Sequence, residues 1–133
     1  MSAPRVAIGL GLRSGASGAA IAALVVAALE QARALAPQVD CASAGLFTVD
    51  SKRGEPGLQE AASLLSRAVT FVARDALVAM DTQAPTRSAL TQALYGVGSV
   101  AEAAALAGAG AGAVLILPRI ASGYVTCAIA AAL

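Results

Sequence analysis

Residues 5–10 (RVAIGL) are apolar at almost every position, and this constrains the fold more than any other feature of the chain. A strand that is apolar on both faces belongs at the centre of a parallel sheet, where helices cover both sides. A turn (GLRSGAS) follows it, and then an apolar helix over Gly18–Leu35 that ends before Pro37. This strand–turn–helix unit predicts an α/β domain.

The later segments continue the alternation of strands and helices. We expect further strands at 42–49, 69–73, 113–117 and 124–129, and helices at 57–66, 75–80, 88–95 and 99–106. Pro56 suits a first helical position, Asp75 an N-cap and Gly96 the end of a helix. Ser99 and Glu102 form the pattern of a capping box, in which Ser99 caps the amide of Glu102 and Glu102 reaches back.

The last two strands are separated by residues 118–123 alone, which is too short for a parallel crossover. They should therefore form an antiparallel hairpin. The whole pattern predicts one α/β domain over residues 1–133, a three-layer sandwich with a mixed, mostly parallel five-stranded sheet and a C-terminal β-hairpin. No internal repeat or linker is visible.

Composition excludes several function classes. The net charge is +1 and the aromatic residues make up 3% of the chain, so a nucleic-acid partner is not expected. The apolar run 19–29 is too short to span a membrane, and the N-terminus lacks the features of a signal peptide, so we expect no membrane partner and a cytoplasmic protein. Cys41 and Cys127 are too far apart for a metal motif and are expected to be buried thiols.

The sequence contains no histidine. Histidine is the commonest general base and metal ligand, so its absence excludes Ser-His-Asp and Cys-His catalysis and most zinc sites. We therefore expect no metal site. No cofactor is expected either, on the separate ground of the glycine spacing considered below.

Polar residues follow four of the predicted strands. In open α/β sheets ligands bind at the carboxyl ends of the strands. The four clusters there are Arg13-Ser14-Gly15, residues 50–55 (DSKRGE), Arg74-Asp75 and Arg119.

The first cluster lies in the glycine-containing loop of residues 9–15 (GLGLRSG). Its spacing is GxGxxxG, and the second strand ends at Asp50, much farther on than a dinucleotide-binding unit requires, so a nucleotide-binding enzyme is a weak alternative. Free amides at a helix N-terminus beside Arg13 favour an anion. The alternative is that Gly9, Gly11 and Gly15 only permit a turn and close packing.

The second cluster lies in the loop of residues 50–57 (DSKRGEPG). It holds Lys52, the one lysine of the sequence, beside Arg53 and between the acids Asp50 and Glu55. The alternative to a functional site is that these residues form only a solvated, charged loop. The concentration of charge in a chain with few charges elsewhere favours a functional site. Glu102, by contrast, is explained by its capping box.

Four segments, GLGLRSG, TVDSKRGEPGL, GVGSVAEAAAL and YVTCAIA, occur in this order along nearly the whole chain. In this the chain resembles the CobE / CbiG C-terminal domain family of cobalamin (vitamin B12) biosynthesis, most closely its stand-alone form. The positions that match the family's motifs are Gly9, Gly11, Arg13, Ser14 and Gly15, then Asp50, Lys52, Glu55, Pro56 and Gly57, then Ser99, Glu102 and Ala103. The chain departs from the family at two positions: Leu12 stands where the family commonly has a cysteine, and Arg119 where it usually has a lysine.

The resemblance implies a protein that binds or carries a polycarboxylate corrinoid or precorrin intermediate. The residues expected to bind this ligand are Gly11, Arg13, Ser14, Gly15, Lys52, Arg53, Glu55 and Arg119. As a second hypothesis, the chain is a hydrolase of a precorrin ring lactone, as CbiG proteins are, with Asp50 or Glu55 as general base and Lys52 or Arg13 stabilising an oxyanion. As a third, its Ala-rich helices are a scaffold for pathway methyltransferases.

Overall fold

A computed structural model describes residues 5–86 and 98–132, which fold into a five-stranded sheet covered by helices. The strands are Arg5–Leu12 (β1), Gly45–Val49 (β2), Val69–Val72 (β3), Ala113–Ser122 (β4) and Val125–Ala132 (β5). The helices in these ranges are Gly18–Leu35 (α1), Pro56–Leu65 (α2), Arg74–Met80 (α3) and Val100–Ala109 (α4). Short 3-10 turns cover Asp50–Lys52 and Asp81–Gln83.

The strand order is β3-β2-β1-β5-β4. Strands β1, β2 and β3 are parallel, whereas β5 is antiparallel to both β1 and β4. This confirms the predicted mixed sheet and its C-terminal hairpin. The hairpin turn is shorter than predicted, because β4 continues through a register irregularity near Pro118 as far as Ser122. Gly123, with φ of +58°, begins a two-residue turn that suits a right-twisted hairpin.

Helices cover both faces of the sheet and give the predicted three-layer sandwich. Because side chains alternate along a strand, Ile8 and Leu10 of β1 pack under α1 and α2, while Ala7 faces α4. The α4 side is built from small residues, among them Ala101 and Ala105 of the helix. The two layers therefore differ in thickness, with α4 lying much closer to the sheet.

Gly9 shows how close that approach is. A Cβ atom at this position would collide with the backbone carbonyl oxygen of Ala101 and lie 2.6 Å from the backbone nitrogen of Ala105. Only glycine fits, because the helix backbone itself occupies the space where a side chain would stand. The close-packing interpretation of the glycine loop thus accounts for Gly9.

Several predicted element boundaries are wrong. Strand β2 begins at Gly45 and not at residue 42, because Asp40 Oδ1 accepts a hydrogen bond from the Ala42 amide (2.9 Å) and holds a turn there. Helix α3 begins at Arg74 with Ala73 as its N-cap, so Asp75 lies in the first turn and is not the cap. Pro56 occupies the first helical position of α2, as predicted. The predicted helix 88–95 and its end at Gly96 lie outside the described residues.

Helix α1 is apolar because it belongs to the core. Of the described helices, it is the one long and apolar enough to cross a membrane by length and composition. Here Ile21, Leu24, Val25 and Ala28 are buried in the cluster that α1 forms with the sheet. One face of α1 therefore packs within the fold, whereas Val26 and Leu35 on the same helix are exposed.

The two cysteines differ in burial. Cys127 is buried in β5, and burial raises the pKa of its thiol to about 12, so this part of the prediction is confirmed. Cys41 is only partly buried; burial, followed by the negative charge of Asp40, raises its thiol pKa. The thiolate form of both is disfavoured at neutral pH.

Candidate functional site

The carboxyl ends of β1, β2 and β3 lie at one edge of the sheet, because the three strands are parallel. The turn between β4 and β5 lies at the same edge, since Val125 pairs with Leu12 at the end of β1. We call this region the carboxyl edge and define it as residues 13–16, 50–55 and 123–124. It brings together two of the loops that the sequence singled out.

The first loop is a tight turn after β1. The Ala16 amide donates to the Arg13 carbonyl oxygen (3.2 Å), and Gly15 has a φ of +87°, which favours glycine. Ser17 then caps α1 by accepting a hydrogen bond from the Ala20 amide (3.1 Å). Arg13, Ser14 and Gly15 are exposed in this turn.

The second loop follows β2. The Arg53 amide donates to the Asp50 carbonyl oxygen (3.1 Å), and the Glu55 amide donates to that of Lys52 (3.0 Å), so the loop is a compact pair of turns. Asp50 and Arg53 are exposed and Lys52 is half-buried. The loop therefore presents its cations to solvent from a backbone held by local hydrogen bonds.

Glu55 joins the two loops. Its Oε2 atom accepts a hydrogen bond from the Gly15 amide (3.3 Å). Hydrogen bonds from the Ser14 hydroxyl and then from the Gly15 amide hold the pKa of this carboxyl below its usual range. The turn that the sequence marked as favourable to an anion thus already holds one, the carboxylate of Glu55.

This contact predicts a titration that can be observed at Gly15. A hydrogen bond to the charged carboxylate stabilises the fold above the carboxyl's unfolded pKa and is lost as the pH falls through the lowered folded pKa. We expect the Gly15 amide proton shift, followed by NMR, to titrate with a midpoint below 4.5. The Glu55→Gln variant should abolish the titration, and a midpoint above 4.5 in the wild type would contradict the contact.

Two arginines of the carboxyl edge stand over aromatic rings. The guanidinium carbon of Arg13 is 5.8 Å from the ring centre of Tyr124, and that of Arg53 is 4.5 Å from that of Phe71. Stacking restricts a guanidinium group but leaves its in-plane N–H donors available to carboxylates. Sequence reasoning did not select Phe71, which lies within β3, or Tyr124, which lies in the turn before β5. The signal that could have found them is the scarcity of aromatic side chains, since the sequence has four Phe and Tyr residues and no Trp.

Gly11 and Arg119 lie away from the exposed part of this edge. Gly11 is buried within β1, where a Cβ would stand 2.5 Å from Thr126 Oγ1. Arg119 was predicted to follow the fourth strand, but β4 runs to Ser122, so Arg119 lies within the strand and is half-buried. The strand-end prediction is wrong because β4 continues past Pro118 with a changed register; a ligand role for either residue stays a prediction.

Glu102 has a larger structural role than the capping box suggested. Ser99 Oγ accepts from the Glu102 amide (3.2 Å), as predicted. The carboxylate is fully buried, and in the described part of the chain it does not reach back. Instead it accepts hydrogen bonds from the Thr86 amide and hydroxyl (both 2.8 Å) and from the Arg119 amide (3.0 Å). Glu102 thus connects α4 with β4 and with the segment that precedes residue 87.

A cavity of about 350 Å³ lies at the opposite edge of the sheet, beside the end of α1. Arg33, Cys41 and Arg67 contribute to its lining. Arg67 Nη1 donates to the carbonyl oxygens of Cys41 (3.0 Å) and Ala44 (2.7 Å), so this guanidinium closes the loop before β2. Among residues 5–86 and 98–132, no group of three or more Cys, Asp or Glu side chains could hold a metal ion.

Comparison with known proteins identifies the family. The family model described as "Cobalamin synthesis G C-terminus" matches residues 6–130. The chain belongs to this CobE / CbiG family of cobalamin biosynthesis proteins. It is similar to the crystal structure of CobE, "a protein from the cobalamin (vitamin B12) biosynthetic pathway", with a TM-score of 0.84 and 32% identity over 98% of this chain and 92% of that one.

A second solved member of the CobE / CbiG family is similar as well. It is the cobalamin biosynthesis protein chiG from Agrobacterium tumefaciens str. C58, with a TM-score of 0.64 and 36% identity over 94% of this chain and 96% of that one. No curated protein matches the chain. The family match includes both loops of the carboxyl edge, so the resemblance first seen in the motifs is confirmed for the fold and the pathway.

Proposed function

We propose that this member of the CobE / CbiG family binds and carries a polycarboxylate corrinoid intermediate of cobalamin biosynthesis in the cytoplasm, at the carboxyl edge of its sheet. The observation that carries the proposal is the cationic row of Arg13, Lys52 and Arg53 on two neighbouring loops. Corrinoid precursors carry several carboxylates around the ring. Guanidinium and ammonium groups bind carboxylates by charge-assisted hydrogen bonds.

The state of Glu55 argues against one of the two candidate general bases of the hydrolase hypothesis. A general base acts best with a pKa near the working pH. The hydrogen bonds from Ser14 and Gly15 lower the Glu55 pKa and so move it farther from neutral pH. Its carboxylate is best suited to holding the two loops together, so that the cations on them are already positioned before the ligand binds.

Spectral titration with cobyrinic acid, a corrin that carries carboxylates, tests this proposal. We expect Arg13→Ala and Lys52→Ala each to weaken binding roughly tenfold at low salt, since each removes one charge-assisted contact. Arg33→Ala is the matched control, because it removes the same charge from an exposed position at the far end of α1. Added salt should reduce the difference between wild type and variants.

Two results would count against carriage at this edge. If Arg13→Ala and Lys52→Ala bind as tightly as the wild type, or if Arg33→Ala loses as much affinity, the ligand does not bind there. The mass of a purified lactone-bearing precorrin is measured before and after incubation with the protein alone. An unchanged mass agrees with carriage. A gain of one water, or that gain together with the loss of acetaldehyde that accompanies lactone opening by CbiG proteins, would support the hydrolase hypothesis.

A further inference from the structure

We propose that Tyr124 contacts the ring face of the bound corrinoid and makes the carboxyl edge selective for macrocyclic over open-chain polycarboxylates. The inference rests on the proposed function and assigns to the same site a residue that binds the ring rather than its carboxylates. Its basis is an exposed aromatic side chain, held in place beside a cation, at the edge where the ligand is proposed to bind.

The exposure of Tyr124 is the first observation. The side chain is 56% exposed. The other exposed large apolar side chains of the described residues are aliphatic, namely Val26, Leu35, Leu64, Val78 and Val114. Burying an aromatic ring against another conjugated surface is favourable, so a solvent-facing ring at a binding edge is available for such a contact.

The backbone beneath Tyr124 fixes the position of the ring. Tyr124 is the second residue of the two-residue turn that Gly123 begins, between the antiparallel strands β4 and β5. Its carbonyl oxygen accepts a hydrogen bond from the Arg13 amide (2.9 Å), which extends the pairing of β1 with β5. A tyrosine has few rotatable bonds, and here its backbone is held on both sides, so little entropy is lost when a ligand contacts the ring.

The neighbouring charge makes this surface suitable for a particular kind of ligand. The guanidinium of Arg13 stands over one face of the Tyr124 ring, 5.8 Å from its centre, while the side chain stays 56% exposed, so an accessible ring and a cation lie together at this edge. A macrocycle offers the complement, an apolar face bordered by carboxylates. An open-chain polycarboxylate can use the cations but has no face for the ring.

The width of the edge agrees with a large ligand. Tyr124 lies beside β5, whereas Arg53 stands over Phe71 on β3, and β1 and β2 lie between these two strands. Neighbouring strands are about 4.8 Å apart, so the two arginine–aromatic pairs are separated by roughly 14 Å along the edge. A ligand that touches both pairs must be extended and carry charge at more than one point.

The test compares two substitutions and two probes. Tyr124→Leu removes the ring and keeps an apolar side chain, while Tyr124→Phe keeps the ring. Binding of cobyrinic acid is followed by absorbance, and binding of butanetetracarboxylate, an open-chain polycarboxylate, by calorimetry. We expect Tyr124→Leu to weaken cobyrinic acid binding roughly tenfold and Tyr124→Phe by less than about twofold, with butanetetracarboxylate unaffected.

The dependence on salt separates the ring from the cations. The loss caused by Tyr124→Leu should persist at high salt, whereas that caused by Lys52→Ala should shrink. Equal binding of cobyrinic acid by Tyr124→Leu and wild type, with Lys52→Ala still weakened, would overturn the role of Tyr124 and leave the carrier function standing. If Tyr124→Leu loses affinity equally for cobyrinic acid and for butanetetracarboxylate, the effect belongs to the neighbouring cation Arg13 and not to the ring. No binding of cobyrinic acid by the wild type would overturn both proposals.

Discussion

Replacing Gly9 with alanine is expected to lower the free energy of unfolding by about 3 kcal/mol, or to prevent folding, because the added methyl group has no space. It would collide with the Ala101 carbonyl oxygen and crowd the backbone nitrogen of Ala105. Both are backbone atoms of α4, so no side chain can rotate away and the helix itself must move. Urea unfolding, followed by circular dichroism, measures the change.

Gly45 provides the matched control. It pairs with Ala7 on the neighbouring strand, and a Cβ at Gly45 would find its nearest neighbours at 3.6 Å, an ordinary contact. Gly45→Ala should therefore be nearly neutral or slightly stabilising, since alanine restricts the unfolded chain. A Gly9→Ala protein as stable as Gly45→Ala would show that α4 does not lie as close to β1 as described.

Replacing Glu102 with glutamine is expected to cost about 3 kcal/mol, although the two side chains have nearly the same shape. The carboxylate accepts from two backbone amides, those of Thr86 and Arg119, through different oxygen atoms. In either orientation, the glutamine NH₂ group faces one of these amides, donor against donor. This decrease in the free energy of unfolding should lower the midpoint of thermal unfolding by roughly 10 °C.

Hydrogen exchange and a control variant locate this effect. In Glu102→Gln we expect faster exchange at the Thr86 or Arg119 amide, because one of them loses its acceptor. Glu30→Gln makes the same change at an exposed position of α1 and should alter stability by less than about 0.5 kcal/mol. Unchanged stability of Glu102→Gln would mean that the buried carboxylate is not the acceptor of both amides.

The fold could be predicted wherever short-range pattern decides it. The apolar strand around Ile8 and the short connection before Tyr124 are enough to predict parallel strands, covering helices and a final hairpin. Boundaries were less predictable. The predicted fourth strand ends at residue 117, but β4 continues through Pro118 to Ser122, because it lies at the edge of the sheet, where a proline and a register change are tolerated.

The candidate site was predictable to the extent that parallel strands end at a common edge, which brings Arg13 close to Lys52. The hydrogen bonds that join its loops could not be predicted from the sequence. The bond from Gly15 to Glu55 joins residues 40 positions apart, and Glu102 finds partners 16 and 17 positions away. A local pattern explained Glu102 completely, so no signal pointed to Thr86 or Arg119. The sequence pattern predicts a strand that begins at Tyr124 and so gives no sign that this residue lies in the turn.

The position of β1 affects how the chain folds during synthesis. This strand pairs with β5 along its whole length, from Arg5 with Ala132 to Leu12 with Val125. The Thr126 hydroxyl and the Gly11 carbonyl oxygen, which are 115 positions apart, are joined by a hydrogen bond. At ordinary translation rates, β5 leaves the ribosome on the order of ten seconds after β1. Throughout that interval the side of β1 that will pair with β5 is an open edge, whose unpaired backbone groups can pair with other chains until β5 arrives.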